Sequence, residues 1–134
     1  MGHKCWYDSA MTHTRKRLGD FGEQVAKAHL IRKGMSFIAH QWRCSEGEID
    51  LIMRDGAVLV FVEVRTRRSH IVGIAAESIT PQKQVRLITL AYTYLTTCVV
   101  SQEAAWRIDV VTVELDRQGR VVQCLHILHA IEEH

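Results

Sequence analysis

Acids interrupt two apolar stretches that a turn would join: Gly47-Glu48-Ile49-Asp50-Leu51-Ile52, then Asp55-Gly56, then Val60-Phe61-Val62-Glu63-Val64-Arg65. A carboxylate is costly to bury alone, so acids in such runs need a partner or a metal. Asp55-Gly56 is a two-residue hairpin signal, because both residues accept positive φ. That register sets Arg54 against Ala57, Ile52 against Leu59, Asp50 against Phe61 and Glu48 against Glu63. Side chains alternate with period two, which projects Glu48, Asp50, Glu63 and Arg65 from one face. Asp50 and Glu63 become diagonal neighbours, about 7–8 Å apart at their backbones. Two carboxylates so placed can close on one hard cation, and Asp50 and Glu63 are the expected metal ligands.

The competing reading is the solvent face of an antiparallel sheet. Two features weigh against it. Leu59 and Phe61 share the face with the acids, and Glu48 opposite Glu63 would set like charges together without a counter-charge. A one-residue bulge would carry Glu63 to the other face, so the geometry is conditional on register.

The chain of 134 residues fits one domain with a single core, and 47% hydrophobic with 24% charged residues is ordinary for a globular protein. Its net charge of +2 permits a nucleic-acid partner without arguing for one. Clustering says more, since Arg15-Lys16-Arg17 and Arg65, Arg67 and Arg68 form short basic groups able to meet phosphates, or else solvated element ends. Cys5, Cys44, Cys98 and Cys124 are scattered without a CxxC pair, which points to neither zinc nor a disulfide framework. The eight histidines are equally dispersed and lack an HExxH arrangement. Residues 1–14 are polar and the apolar runs short, so no signal peptide or membrane span is expected, and the expected location is cytoplasmic.

Element signals follow in order. Residues 1–17 show no periodicity and read as a loose N-terminal arm, leaving 18–134 as the domain. Asp20-x-x-Glu23 resembles a capping box that would open a helix at Asp20, with Phe21, Val25 and Ala28 as its stripe and Gly34 as its stop. Strands are expected over 35–44, 48–54 and 57–66, then a loop around Gly73. Thr80 and Pro81 open a second helix as N-cap and first helical residue, carried on by Leu87, Ile88, Ala91, Tyr92 and Leu95. A buried strand over 107–115 and a last strand over 120–128 flank Gln118-Gly119. The order is α-β-β-β-α-β-β, in an α/β fold.

Several of these segments carry a resemblance: Gly22-Glu23-Gln24-Val25-Ala26, Gln41-Trp42-Arg43-Cys44, residues 47–52, 61–67 and 106–110. In order from about Leu18 to Val113, they resemble the YraN family of bacterial proteins. That family in turn resembles the restriction-endonuclease-like superfamily, archaeal Holliday-junction resolvases in particular. The resemblance implies a mixed sheet flanked by helices and a magnesium- or manganese-dependent phosphodiesterase site. Such a site has a helical Glu, a strand Asp and a Glu-x-Lys tripeptide, which correspond here to Glu23, Asp50 and Glu63-Val64-Arg65. It also implies a DNA partner and a homodimer, since resolvases bring two sites to two strands.

The tripeptide ends in Arg65 where the pattern has Lys. Arginine stays protonated, so Arg65 can offset charge on a phosphate but cannot serve as a base. Lys83, in the first turn of the second helix, is the possible substitute, and strand parity favours Arg65. Glu23 and Glu48 are further candidate ligands. The first expectation is a metal-dependent endonuclease for branched or structured DNA. Alternatives are a nucleic-acid-binding module that lost the chemistry, with Arg15, Lys16, Arg17, Arg67 and Arg68 on phosphates, and an interaction scaffold without nucleic acid.

Overall fold

The computed structural model describes the backbone of residues 6–68, 79–98 and 104–132, and the side chains of all of these except 6–15. Its elements are α1 (Trp6–Arg32), β1 (Ser36–Cys44), β2 (Gly47–Asp55), β3 (Val58–Arg68), α2 (Pro81–Thr97), β4 (Trp106–Leu115) and β5 (Val121–Ile131). The five strands form one sheet in sequence order. Only the β3–β4 pairing is parallel, because α2 carries the chain from one to the other across a face of the sheet. This is the expected order, α-β-β-β-α-β-β, as a mixed sheet flanked by helices. The loop expected around Gly73 lies outside the described residues.

Each helix seals one face. Ala26 and Leu30 of α1 pack on Leu51, Met53, Val60, Val62, Val111 and Val113. Leu87, Leu90 and Ala91 of α2 pack on Ile49, Ile52, Leu59, Phe61 and Ile108. The central strands are therefore covered on both sides, which is why β3 and β4 read as nearly unbroken apolar runs.

Helix α1 begins at Trp6, well before Asp20, and takes in most of the segment expected as an arm. Asp20 is thus mid-helix and no N-cap. Its carboxylate accepts instead from Lys16 Nζ at 3.1 Å, one turn back, and from Gln41 Nε2 at 2.9 Å. The stop at Gly34 is as expected. Gly34 takes φ +98, Met35 N donates to Leu30 O at 3.1 Å and Gly34 N to Ile31 O at 2.9 Å, a Schellman turn closed by contact between buried Met35 and Leu30. The start of α2 is also as expected: Thr80 caps it by accepting from Lys83 N at 3.2 Å, and Pro81 follows.

Gly22 sets how closely α1 approaches the sheet. A Cβ there would lie 1.7 Å from Thr66 Oγ1 and 2.8 Å from Thr66 Cβ. Gly22→Ala must push α1 off β3, at an expected cost of about 1–3 kcal/mol. Chemical denaturation should show a lower midpoint at unchanged slope, partly restored by a second change, Thr66→Ala. An unchanged midpoint would mean that the helix does not sit where described.

A buried polar joint ties β4, β5, β2 and α1 together. Asp109 is fully buried, and its two oxygens accept from Arg107 Nε at 2.9 and 3.1 Å. His126 Nε2 lies 2.7 Å from Asp109 Oδ2, and the His129 amide donates to Oδ1 at 2.8 Å. Arg107 also reaches Asp55 at 3.0 Å, and Lys33 Nζ lies 2.6 Å from His126 Nδ1. The β4–β5 register shifts between Ile108 and Val110, and His129 takes φ +51; both irregularities turn backbone toward Asp109. Among the described residues, no helix is long and apolar enough to cross a membrane.

Candidate functional site

The β2–β3 hairpin slips by two residues from the expected register. Asp55 pairs with Val58 and Leu51 with Val62, so the turn is Gly56-Ala57 rather than Asp55-Gly56. Arg107 explains the slip, since its ion pair with Asp55 holds that residue in the strand, while Gly56 alone takes positive φ. Arg54 consequently faces Leu59 and Ile52 faces Phe61. Continued one step, the register sets Asp50 directly opposite Glu63, closer than the diagonal expected. A slip of two by itself preserves parity, and Glu63 keeps to the α2 face with Phe61.

Alternation itself breaks at Asp50. Ile49 packs on the α2 side and Leu51 on the α1 side, although they are two residues apart. The β1–β2 register sets Gln41 opposite Asp50, and Gln41 takes φ +50. This kink at the middle of β2 brings Asp50 and Glu48 toward α1. Carboxylate oxygens of Glu23, Glu48 and Asp50 converge within 4.8 Å of one another. Three acids from two elements, α1 and β2, can hold one hard cation.

The electrostatics match that geometry. Burial, then the charge of Glu63, then a hydrogen bond with Glu63 push the Asp50 carboxyl up to about 9, against the opposing pull of the Val64 amide, which donates to Oδ2 at 2.8 Å. Glu23 is raised by burial as well, partly offset by Gln41 Nε2, which donates to Oε1 at 3.2 Å. At neutral pH the cluster therefore retains a proton that a divalent cation would displace. Clustered carboxylate oxygens are the donor type that magnesium or manganese binds.

Beside it, Glu63 is buried and lies 2.6 Å from Lys83 Nζ. Lys83 stands in the capped first turn of α2, where Thr80 fixes its backbone and the helix N-terminus adds positive potential. Arg65 is half-buried two residues further along β3. Of the two basic candidates, Lys83 is the one in contact with Glu63.

The expected phosphate-binding residues divide. Lys16 is exposed but paired with Asp20, and both border a cleft of about 380 Å³ with Glu23, Lys27, His40 and Gln41. Arg17 and Arg68, far apart in sequence, meet across a second cleft. Arg67 is exposed at the end of β3, and the side chain of Arg15 lies outside the described residues.

Two partners of the acids were not foreseen. Gln41 bridges Asp20 and Glu23, and Arg43 Nε donates to Glu48 Oε2 at 2.8 Å. Both sit on β1 inside the segment Gln41-Trp42-Arg43-Cys44. The only sequence signal for them was a polar amide and a cation in a strand that precedes acidic β2.

Comparison with known proteins gives the family of the chain. Residues 22–113 match the model of the uncharacterised protein family UPF0102, a span holding Glu23, Glu48, Asp50, Glu63 and Lys83. A UPF0102 protein of Roseiflexus castenholzii is 46% identical over 123 residues, 92% of this chain and 99% of that protein. One from Pelotomaculum thermopropionicum is 42% identical over 120 residues, 90% of this chain and 99% of that protein. Among solved structures, the chain is similar to Pyrococcus furiosus SfsA in complex with Ca2+, with TM-score 0.36 and 12% identity over 89% of this chain and 65% of that one. A likeness that slight carries no argument about the site. On the family match and its relatives, the chain belongs to the uncharacterised protein family UPF0102, the YraN family that its motifs resemble.

Proposed function

We propose that this protein is a divalent-metal-dependent endonuclease that hydrolyses phosphodiester bonds in branched or otherwise structured DNA. The observation that carries the reading is the convergence of Glu23, Glu48 and Asp50 beside the Glu63–Lys83 pair. Magnesium or manganese held by those carboxylates would supply a lowered water pKa and a polarised phosphate. Glu63 fixes the Lys83 ammonium next to the acids, where it orients water by donation and offsets negative charge as it grows on the phosphate. The Val64 amide aims Asp50, and Gln41 aims Glu23. Water adds to phosphorus, one P–O ester bond breaks, and the products are a phosphate monoester and a free hydroxyl. Lys83 fills the place that the Arg65 departure left open. The proposal includes a homodimer, so that two such sites can meet two strands of a junction.

The test is cleavage of a panel of branched, flapped and single-stranded DNAs by pure protein with magnesium or manganese. Lys83→Ala should lower the rate by about 10²–10³-fold, the usual effect of removing one such charge stabiliser. Lys83→Arg should restore part of it, and Arg65→Ala should be mild. The reverse ranking would return the role to Arg65. No cleavage of any member of the panel would sink the reading and leave a binding module on a nuclease-like fold.

A further inference from the structure

We propose that the cleft between α1 and the β4–β5 turn is a nucleotide subsite, stacking one unpaired base on Phe21 and holding its phosphate between Arg17 and Arg68. This rests on nucleic acid being the ligand of the proposed function, though not on metal chemistry. The cleft measures about 380 Å³, and Arg17, Leu18 and Phe21 from α1 face Arg68, Leu115 and Gly119 across it. That is the size range of small-molecule sites. Its chemistry is mixed in the way a nucleotide requires: a flat apolar ring, an apolar floor and two guanidinium groups.

Phe21 is 45% exposed although α1 packs on the sheet. A lone exposed phenyl ring needs no explanation by itself. This one lies one helical turn after Arg17, so ring and guanidinium share a face and open on the same cavity. Across the cleft, Gly119 at the turn takes φ +81, and a Cβ there would lie 3.5 Å from an Arg68 guanidinium nitrogen. The glycine leaves Arg68 resting over bare backbone. Cations adjacent in sequence to the lining are taken by acids: Lys16 by Asp20 and Arg120 by Asp116. Among the described residues, no acid is paired with Arg17 or Arg68, so both can meet a phosphate.

Position sets the substrate class. Glu23 follows Phe21 by two residues, roughly 200° round the helix, so the cleft and the acid cluster flank α1 on opposite sides, about 10–12 Å apart across its width. A strand crossing α1 would lay a base in the cleft and a nearby phosphodiester at the acids. A fully paired duplex has no base to offer. The favoured substrate therefore carries unpaired nucleotides beside the cleaved bond, as single strands, flaps and junction points do. Stacking on one ring is sequence-tolerant, because every base has a π-face.

The experiment is equilibrium titration of a single-stranded oligonucleotide carrying 2-aminopurine, with EDTA present so that no cleavage intervenes. Wild type should quench the fluorophore. Phe21→Ala should abolish the quenching and weaken binding about 10-fold, and Phe21→Trp should restore both. Arg17→Ala with Arg68→Ala should weaken binding and reduce the salt slope by about 1.4. Thermal melting of each variant checks that the fold is kept. A fully paired duplex should give no quenching. Quenching unchanged in Phe21→Ala, or absent in wild type, overturns the subsite whatever the cleavage panel shows. Quenching without cleavage upholds the subsite and removes the nuclease reading alone.

Discussion

Asp50→Asn is expected to abolish cleavage and weaken metal binding severely while making the protein more stable. The native carboxyl is pushed up to about 9 from its ordinary 3.8 by burial and by Glu63. Between those values the folded state holds a proton that the unfolded chain has released. The native state then binds more protons, so stability falls as pH rises from about 4 toward 9. Asparagine cannot ionise, and its side-chain oxygen can still accept from the Val64 amide. The variant should therefore melt higher than wild type at neutral pH, by about 3–5 °C for each 1 kcal/mol relieved, and lose much of the wild-type decline between about pH 5 and pH 8. Manganese affinity should fall by on the order of 100-fold or more, beyond the usual loss for an outer-sphere partner, because a direct ligand is gone. Saturating manganese should raise the melting temperature of wild type and not of the variant. Wild-type manganese affinity in Asp50→Asn would show that the carboxylate cluster is not the metal centre.

That prediction depends on features of unequal legibility. Period-two patterning gave the hairpin, and capping chemistry gave the start of α2, because both are set by neighbours within a few residues. The turn lies one residue further on than Asp-Gly indicates, and the register two, because Asp-Gly is a local signal while Arg107, which holds Asp55 in β2, arrives 52 residues later. The N-terminal half of α1 carries no apolar period, so nothing in the sequence announced a helix before Asp20. The acid cluster was half visible. Asp50 and Glu63 stood out as charges in apolar strands, but the convergence of Glu23 and Glu48 on Asp50 depends on the kink at Gln41 and on Gly22 bringing α1 against Thr66. Strand parity favoured Arg65 over Lys83. The contact with Glu63 went to Lys83 because α2 crosses the sheet where its first turn meets β3, a placement that no spacing in the sequence encodes.

Asp109 would be singled out by the same rule that found Asp50, an acid within an apolar strand, and its substitution is expected to do the opposite. Where Asp50 is crowded by acids, Asp109 is surrounded by donors: Arg107, His126 and the His129 amide. With His126 Nε2 donating to Asp109, Nδ1 is left as an acceptor for the ammonium of Lys33, the residue after α1, at 2.6 Å, which links the end of that helix to the joint. Asp109→Ala leaves the buried His126 imidazole and the His129 amide without their acceptor and Arg107 with Asp55 alone. Breaking a buried pair in this way costs about 3–5 kcal/mol, a large share of the 5–15 kcal/mol that holds a typical domain together. The melting temperature should fall by about 10–20 °C. Asp109→Asn should fall less, because it still accepts from the His129 amide. Manganese affinity, measured where each variant remains folded, should be unchanged, because none of the clustered carboxylates touches this joint. A small stability loss in Asp109→Ala, or a loss of manganese binding by folded Asp109→Asn, would contradict this division. Two acids on strands that β3 separates would then have to be counted as one site, whereas the charges around them assign one to metal binding and the other to holding the sheet.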